Sequence, residues 1–285
     1  MERKLIAIDM DGTLIGENGI SQEDKDAIQE AKDAGHVVAI VSGRSDQSVL
    51  ALLAEEGLTG LPVSGSNGAI TAVDGVEIKR VCMPIKLVED VCTHLDRGRY
   101  PYLIYANDGV YGKADFLDRV KAEFEQAPGA IGSPFESYEF MAEYTKNHGV
   151  KTFQTLEEVV KPGTDVFKVF VFLPDALKKE TCSGHIGTFE DVTITSSYID
   201  NISVSSSLGH KGTGLVALAK HFGIPLEHTV AMGDNLNDLG MLKIAGLSVA
   251  MGNAEAQVKE LCDVITLSNL ESGVAHAIRK FVLGK

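Results

Sequence analysis

Residues 5–14 read LIAIDMDGTL. Leu5 to Ile8 form a short apolar run, the pattern of a strand buried on both faces. Asp9 and Asp11 follow at once, and then Gly12 and Thr13. In an open α/β sheet the carboxyl end of such a strand is where ligands bind. Acids two apart on an extended chain project to the same side. The stretch therefore fixes both an expected fold and a place to look for chemistry.

Reading outward, a helix is expected from Ser21, where Ser21 and Asp24 form a capping start and Gly35 a stop. HVVAIVSG (36–43) is the next buried run, a second helix runs from Ser45 to about Glu56, and LPVSGSNGA (61–69) follows. This is βαβαβ, which implies parallel strands joined by right-handed crossovers. AITAVDGVEIKRV (69–81) breaks the rhythm, because alternating residues flank Asp74-Gly75, a two-residue hairpin signal.

From about Pro84 to Thr195 the pattern is helix, strand (YLIYA), the turn NDG, helix (DFLDRVKAEFEQ), a stretch from Phe135 to Thr164 with little pattern, strand (VFKVFVFL), helix and strand (DVTITSSY). Strands and helices without strict alternation suggest an inserted α+β domain with an antiparallel sheet. After about Asn201 the βα rhythm returns: a helix from Lys211 to Gly223, the strand HTVAMGD, LNDLGMLKIAG, LSVAMG, a helix near Ala254 to Cys262, DVITL, and a last helix to Leu283. The expected fold is α/β: a doubly wound, Rossmann-like parallel sheet over 1–83 and 196–285, interrupted by an α+β domain over 84–195.

Composition narrows the function. With 44% hydrophobic and 23% charged residues, and no apolar run near the ~18 to 20 residues of a membrane span, a soluble protein without a membrane partner is expected. MERKLIAID does not resemble an export signal, so the cytoplasm is the expected location. Cys82, Cys92, Cys182 and Cys262 are scattered and the histidines lack ligand spacing, so neither a disulfide framework nor a zinc site is indicated. A net charge of −14 argues against nucleic acid as partner.

Four polar clusters fall at strand ends: Asp9/Asp11, Ser42-Gly43-Arg44, Asn67-Gly68, and GDNLND with Asp234, Asn237 and Asp238. DMDGTLIGE lacks the register of an EF-hand. Each cluster alone has an ordinary structural explanation. Together they put three or four carboxylates on one rim, which repel one another unless a divalent cation sits among them; all-oxygen ligation favours Mg²⁺. Ser42 is expected to open a helix and offer a hydroxyl and amides to phosphate. Lys211 starts a helix, where a cation opposes the dipole unless an anion lies before it. GHKGTG (209–214) is not a P-loop, because the lysine precedes the glycine.

DMDGTL, VSGR, SNGA, Lys211-Gly212, GDNLND and VAMGNA occur in the order found in the haloacid dehalogenase (HAD) superfamily. The long insertion, SNGA and MGNA resemble its Cof-type branch, whose inserted domain is a C2B cap. That resemblance implies a phosphatase with Asp9 as nucleophile and Asp11 as general acid and base. It implies Mg²⁺ held by Asp9, the Asp11 main-chain carbonyl and Asp234. Phosphate contacts would come from Met10, Ser42, Gly43, Lys211 and Asn237, with Thr13, Arg44, Asn67 and Asp238 in support. The substrate it implies is a small phosphomonoester, a sugar phosphate or phosphorylated cofactor, under a cap that excludes water. The chain departs from the family pattern before Lys211, where ISVSSSLGHKG replaces the usual acid and proline. Residues 85–195 carry 18 acidic side chains against 12 basic ones, which disfavours polyanionic substrates unless one local basic pocket overrides the balance. Two other readings stay open: a phosphomutase using the same aspartates, and a non-catalytic binder of phosphate ligands. A receiver domain is disfavoured by the paired acids and the insertion.

Overall fold

The computed structural model describes residues 2–17, 19–126, 137–196 and 198–285. Phe135 and Glu136, at the start of the stretch with little pattern, lie outside the described residues. The chain divides into two compact units, Met1–Val81 with Leu208–Lys285, and Cys82–Ser207. No described helix is long and apolar enough to cross a membrane.

The first unit is built on an eight-stranded sheet. Its strands are β1 (Leu5–Ile8), β2 (Val37–Val41), β3 (Val63–Gly65), β4 (Ile70–Val73), β5 (Val76–Arg80), β12 (Thr229–Gly233), β13 (Leu247–Ala250) and β14 (Val264–Ile265). They lie in the order β14-β13-β12-β1-β2-β3-β4-β5. From β14 to β3 every pairing is parallel, while β4 and β5 are antiparallel. The central strands β1, β2 and β12 are buried throughout, which is why they are continuous Val/Ile/Ala/Met runs rather than alternating ones. The chain leaves β1 towards β2 and β3, and later returns to β12 on the other side of β1. This reversal opens a crevice at the carboxyl ends of β1 and β12, the topological switch point of such a sheet. The expected hairpin is present between β4 and β5, with Asp74 (φ 51°) and Gly75 (φ 75°) both left-handed.

Helices α1 (Gln22–Asp33), α2 (Asp46–Glu55), α7 (Lys211–Phe222), α8 (Leu239–Leu242), α9 (Ala256–Leu261) and α10 (Gly273–Ala277) complete this unit. Ser21 caps α1, its hydroxyl oxygen accepting from the Asp24 amide at 3.1 Å. Asp24 itself is buried and accepts the Ala275 amide at 2.7 Å, tying α1 to α10. GDNLNDLGML forms a 3₁₀ turn and the single turn α8 rather than one longer helix.

The second unit has a six-stranded sheet of β6 (Tyr102–Ala106), β7 (Gly109–Lys113), β8 (Lys151–Phe153), β9 (Val166–Phe172), β10 (Val192–Thr195) and β11 (Asn201–Ser206), ordered β10-β11-β9-β6-β7-β8. All pairings are antiparallel except β7 with β8. Its helices are α3 (Ile85–Arg97), α4 (Phe116–Gln126), α5 (Tyr138–Asn147) and α6 (Ala176–Ile186). One hydrophobic cluster gathers α3, α6 and the valines of β9; another gathers α4, Met141 of α5, Phe170 and Phe172.

The unit differs from the sequence expectation in its limits, Cys82–Ser207 instead of 84–195. The cause is β11, which completes the antiparallel sheet by pairing with β9 and β10. Its sequence NISVSS is rich in serine, a poor strand signal, and reads as a loop leading to Lys211. Likewise the turn NDG leads into β7, a hairpin strand, before α4 begins.

Candidate active site

Asp9 continues β1 by one residue, and its amide donates to the Met232 carbonyl of β12 at 3.1 Å, so the carboxylate starts from a fixed backbone. The chain then turns tightly: the amides of Leu14 and Ile15 both donate to the Met10 carbonyl, at 3.0 and 2.9 Å. Gly12 makes this possible, with φ +81° and no side chain; a Cβ there would lie 2.4 Å from Asp234 Oδ2. Thr13, fully buried, donates its hydroxyl to Asp234 Oδ1 at 2.8 Å.

Lys211, the first residue of α7, is buried with its Nζ 2.5 Å from both Asp9 Oδ1 and Asp238 Oδ1. The lysine is thus compensated by two carboxylates. Burial alone would lower its pKa, but Asp238 and then Asp9 outweigh that and hold it above the ordinary lysine range. Asp238 is also fully buried, and its Oδ2 accepts the main-chain amides of Asp234 (3.0 Å) and Asn235 (2.9 Å). It therefore anchors the lysine and shapes the loop that presents Asp234.

The two remaining acids are electrostatically strained. Burial, followed by the Asp238 charge, pushes the Asp9 carboxyl well above its usual pKa in spite of Lys211. Burial pushes Asp234 up to about 6, with the Thr13 hydroxyl opposing and Asp238 adding to the rise. Asp9, Asp234 and Asp238 bring carboxylate oxygens within 4.8 Å of one another. Such a cluster is relieved by a proton or by a cation. Its all-oxygen donor set suits a hard divalent ion. Because both oxygens of Asp238 already accept from Lys211 and two amides, Asp9 and Asp234 are the side chains with capacity for the metal.

Asp11 does not join this cluster. Its carboxylate forms a two-point pair with Arg44, Nε to Oδ2 at 2.8 Å and Nη2 to Oδ1 at 2.5 Å, both side chains partly open to solvent. Ser42 is buried at the end of β2, where its hydroxyl accepts the Arg44 amide at 3.1 Å. Ser42 does not open α2, contrary to the sequence expectation: Ser45 caps that helix, accepting the Ser48 amide at 3.3 Å. Gly43 lies against Asn67, since a Cβ there would stand 3.2 Å from Asn67 Oδ1. Asn237 donates to that same oxygen at 3.1 Å. Asn67 sits between Ser66 and Gly68 in a run of three left-handed residues, with φ of 51°, 56° and 87°. Gly68 is obligatory there, because a Cβ would fall 2.2 Å from the His210 carbonyl.

The expected residues thus form one group (buried Asp9, Thr13, Lys211 and Asp238 with the half-buried Asp234), a polar group (Gly43, Asn67, Asn237), and the Asp11–Arg44 pair. Met10 contributes its carbonyl to the turn. Asn253, absent from the expected set, donates from Nδ2 to the Gly12 carbonyl at 2.8 Å and braces the same turn. Its place in MGNA, after another strand of the same sheet, was the available signal.

A family model described as haloacid dehalogenase-like hydrolase matches residues 6–278. The chain belongs to the HAD superfamily. Its Cof-type branch accounts for the inserted α+β unit. Among curated HAD relatives, Bacillus subtilis phosphatase YwpJ is 30% identical over 97% of this chain and 99% of its own. The B. subtilis 5-amino-6-(5-phospho-D-ribitylamino)uracil phosphatase YwtE is 31% identical over 99% of both chains. Among solved structures, a HAD-like hydrolase from B. subtilis superposes with a TM-score of 0.80 at 30% identity, covering 98% of this chain and 100% of that one. The HAD subclass IIB sugar phosphatase BT4131 shares the fold, with a TM-score of 0.77 at 22% identity over 98% of each chain.

Proposed function

We propose that this chain is a Mg²⁺-dependent phosphatase of small phosphorylated metabolites, working through an aspartyl-phosphate on Asp9, with the inserted unit as its C2B-type cap. The observation that carries the reading is the buried trio in which Lys211 bonds one oxygen of Asp9 and one of Asp238. Held this way, Asp9 keeps its second oxygen for attack on phosphorus. The bond that forms is Asp9 carboxylate oxygen to phosphorus, and the bond that breaks is phosphorus to the ester oxygen. Asp11 delivers a proton to that leaving oxygen and later takes one from the water that hydrolyses the acyl phosphate. To do so its carboxyl must leave the two-point grip of Arg44. Lys211, Asn237 and the amides around Ser42 and Gly43 supply positive charge and N–H donors to the phosphoryl oxygens. Asp9, the Asp11 main-chain carbonyl and Asp234 would hold Mg²⁺, which supplies the charge that lets carboxylate and phosphate approach.

The substrate class is supported by the relatives, named as phosphatases, two of them for 5-amino-6-(5-phospho-D-ribitylamino)uracil at 31% identity. A cytoplasmic location is supported by cysteines that are scattered along the sequence without disulfide spacing. The test is orthophosphate release over a panel containing that compound and common sugar phosphates, with and without Mg²⁺. Metal-dependent release that Asp9→Asn abolishes is the expected result. Isomerised sugar phosphate without free phosphate would establish a mutase instead, and release undiminished in Asp9→Asn would overturn the nucleophile.

A further inference from the structure

Two side-chain amides join loops of the first unit around the acids that would hold metal. Asn253, in the loop after β13, donates from Nδ2 to the Gly12 carbonyl at 2.8 Å. Its Oδ1 accepts the Asn269 main-chain amide at 3.0 Å, and Asn269, in the loop after β14, donates from Nδ2 to the Ile15 carbonyl at 2.9 Å. The orientation of each side chain is settled by its partner, since a main-chain N–H can only donate and a carbonyl can only accept. The chain of bonds thus begins and ends on the turn that follows Asp9.

The same loop also holds the other acid. The Glu255 amide, two residues past Asn253, donates to the Asp234 carbonyl at 2.9 Å. Residues 253–255 therefore grip both the turn carrying Asp9 and Asp11 and the loop carrying Asp234. Behind them the frame is close-packed. The Gly252 amide donates to the Leu267 carbonyl at 3.0 Å, and a Cβ on Gly252 would stand 2.7 Å from the Ser268 nitrogen, so the loops after β13 and β14 meet backbone to backbone. Asn253 itself is exposed, so water could satisfy the Gly12 carbonyl equally well. What water cannot do is hold that turn at a fixed distance from Asp234.

We propose that Asn253 and Asn269 are positioning residues that set the spacing between Asp9 with the Asp11 carbonyl on one side and Asp234 on the other, and so select Mg²⁺ over larger divalent cations. This rests on the reading of those three groups as the metal ligands. Mg²⁺ demands near-ideal octahedral geometry with bonds of about 2.0–2.1 Å, whereas Ca²⁺ accepts irregular shells at about 2.3–2.6 Å. A frame that holds its oxygens at one separation favours the smaller, stricter ion. Loosening the frame costs that ion most.

Full-length wild type, Asn253→Ala and Asn269→Ala are titrated calorimetrically with Mg²⁺ and separately with Ca²⁺, and their unfolding midpoints are measured in chelator. Expected are Mg²⁺ affinity lower by about fivefold in each variant, the scale of one hydrogen bond, a smaller loss for Ca²⁺, and midpoints in chelator near that of wild type. Asn107→Ala removes a comparable bridge in the second unit, from Nδ2 to the Gly163 carbonyl at 3.1 Å, and should leave both affinities unchanged. Mg²⁺ affinity unchanged in either folded variant, Mg²⁺ and Ca²⁺ weakened alike, or an equal loss in Asn107→Ala overturns the proposal and leaves the metal reading standing. Asp234→Asn tests that reading separately. Wild type without saturable Mg²⁺ binding, or Asp234→Asn binding Mg²⁺ as tightly as wild type, overturns the metal reading and the proposal with it.

Discussion

At Gly12 the main chain occupies φ +81° with Asp234 Oδ2 packed where a side chain would begin. Gly12→Ala therefore combines left-handed strain with a displaced acid, and should cost about 1–3 kcal/mol. Chemical denaturation would read the cost, and calorimetry with Mg²⁺ a matching loss of metal affinity. The two acids proposed as catalytic are expected to separate by size of effect. Asp9→Asn should lower phosphate release by about 10⁴-fold or more, as loss of a nucleophile does, and Asp11→Asn by about 10²–10⁴-fold, the range of general acid–base catalysis. Steady-state rates on the best substrate of the panel decide both, and equal losses would contradict the division of labour. At this scale the sequence was informative wherever chemistry demands a residue type: two acids after β1, a lysine opening α7, acids after β12. It was silent on how the acids divide the work. Nothing in GDNLND says that Asp238 takes the lysine and two amides while Asp234 turns to Thr13, because that choice is made by the loop backbone.

Among the elements, α3 and α6 meet through a histidine pair. The rings of His94 and His185 stack at 4.2 Å, and His94 Nε2 is buried without a partner. Burial first, then the neighbouring His185 and Arg97, lower the His94 pKa below 6.5. Between that lowered value and 6.5 the unfolded chain holds a proton that the folded chain does not, so stability is intact above about pH 6.5 and declines as pH falls through it. Unfolding midpoints at pH 7 and 5.5 should show the decline in wild type and a shallower one in His94→Phe. A decline of the same slope in both would exclude His94 as its source. Long apolar runs and the Asp74-Gly75 hairpin were legible because their patterns are local. β11 was not, because its serines owe their strand geometry to β9 and β10, which no window of sequence contains. α5 and β8 lay in the stretch with little pattern for the same reason, α5 burying only Met141 among its ten residues.

On the scale of the molecule, each unit has its own hydrophobic cluster or clusters, and the acids that would hold metal lie in the first alone. Mg²⁺ at about 100 times its dissociation constant should stabilise that unit by about 2.7 kcal/mol. Hydrogen exchange would show amides of β1, β2 and β12 slowed by Mg²⁺ and those of β9 unchanged, and Asp234→Asn should remove the effect. Equal slowing in both units would contradict it. The break in βα rhythm revealed the two-unit plan in sequence; only the sheet pairings fixed where it begins and ends.

The split of the first unit across residues 82–207 has a consequence during synthesis. When the ribosome has made β5, strand β1 has β2 on one side and nothing on the other, for β12 is still about 150 residues away. The nascent chain then carries an unpaired, wholly apolar strand edge through the whole translation of the insertion, which is contiguous and can fold first. A stalled chain ending near residue 207 should therefore bind chaperones through β1, and release from them should coincide with the emergence of β12.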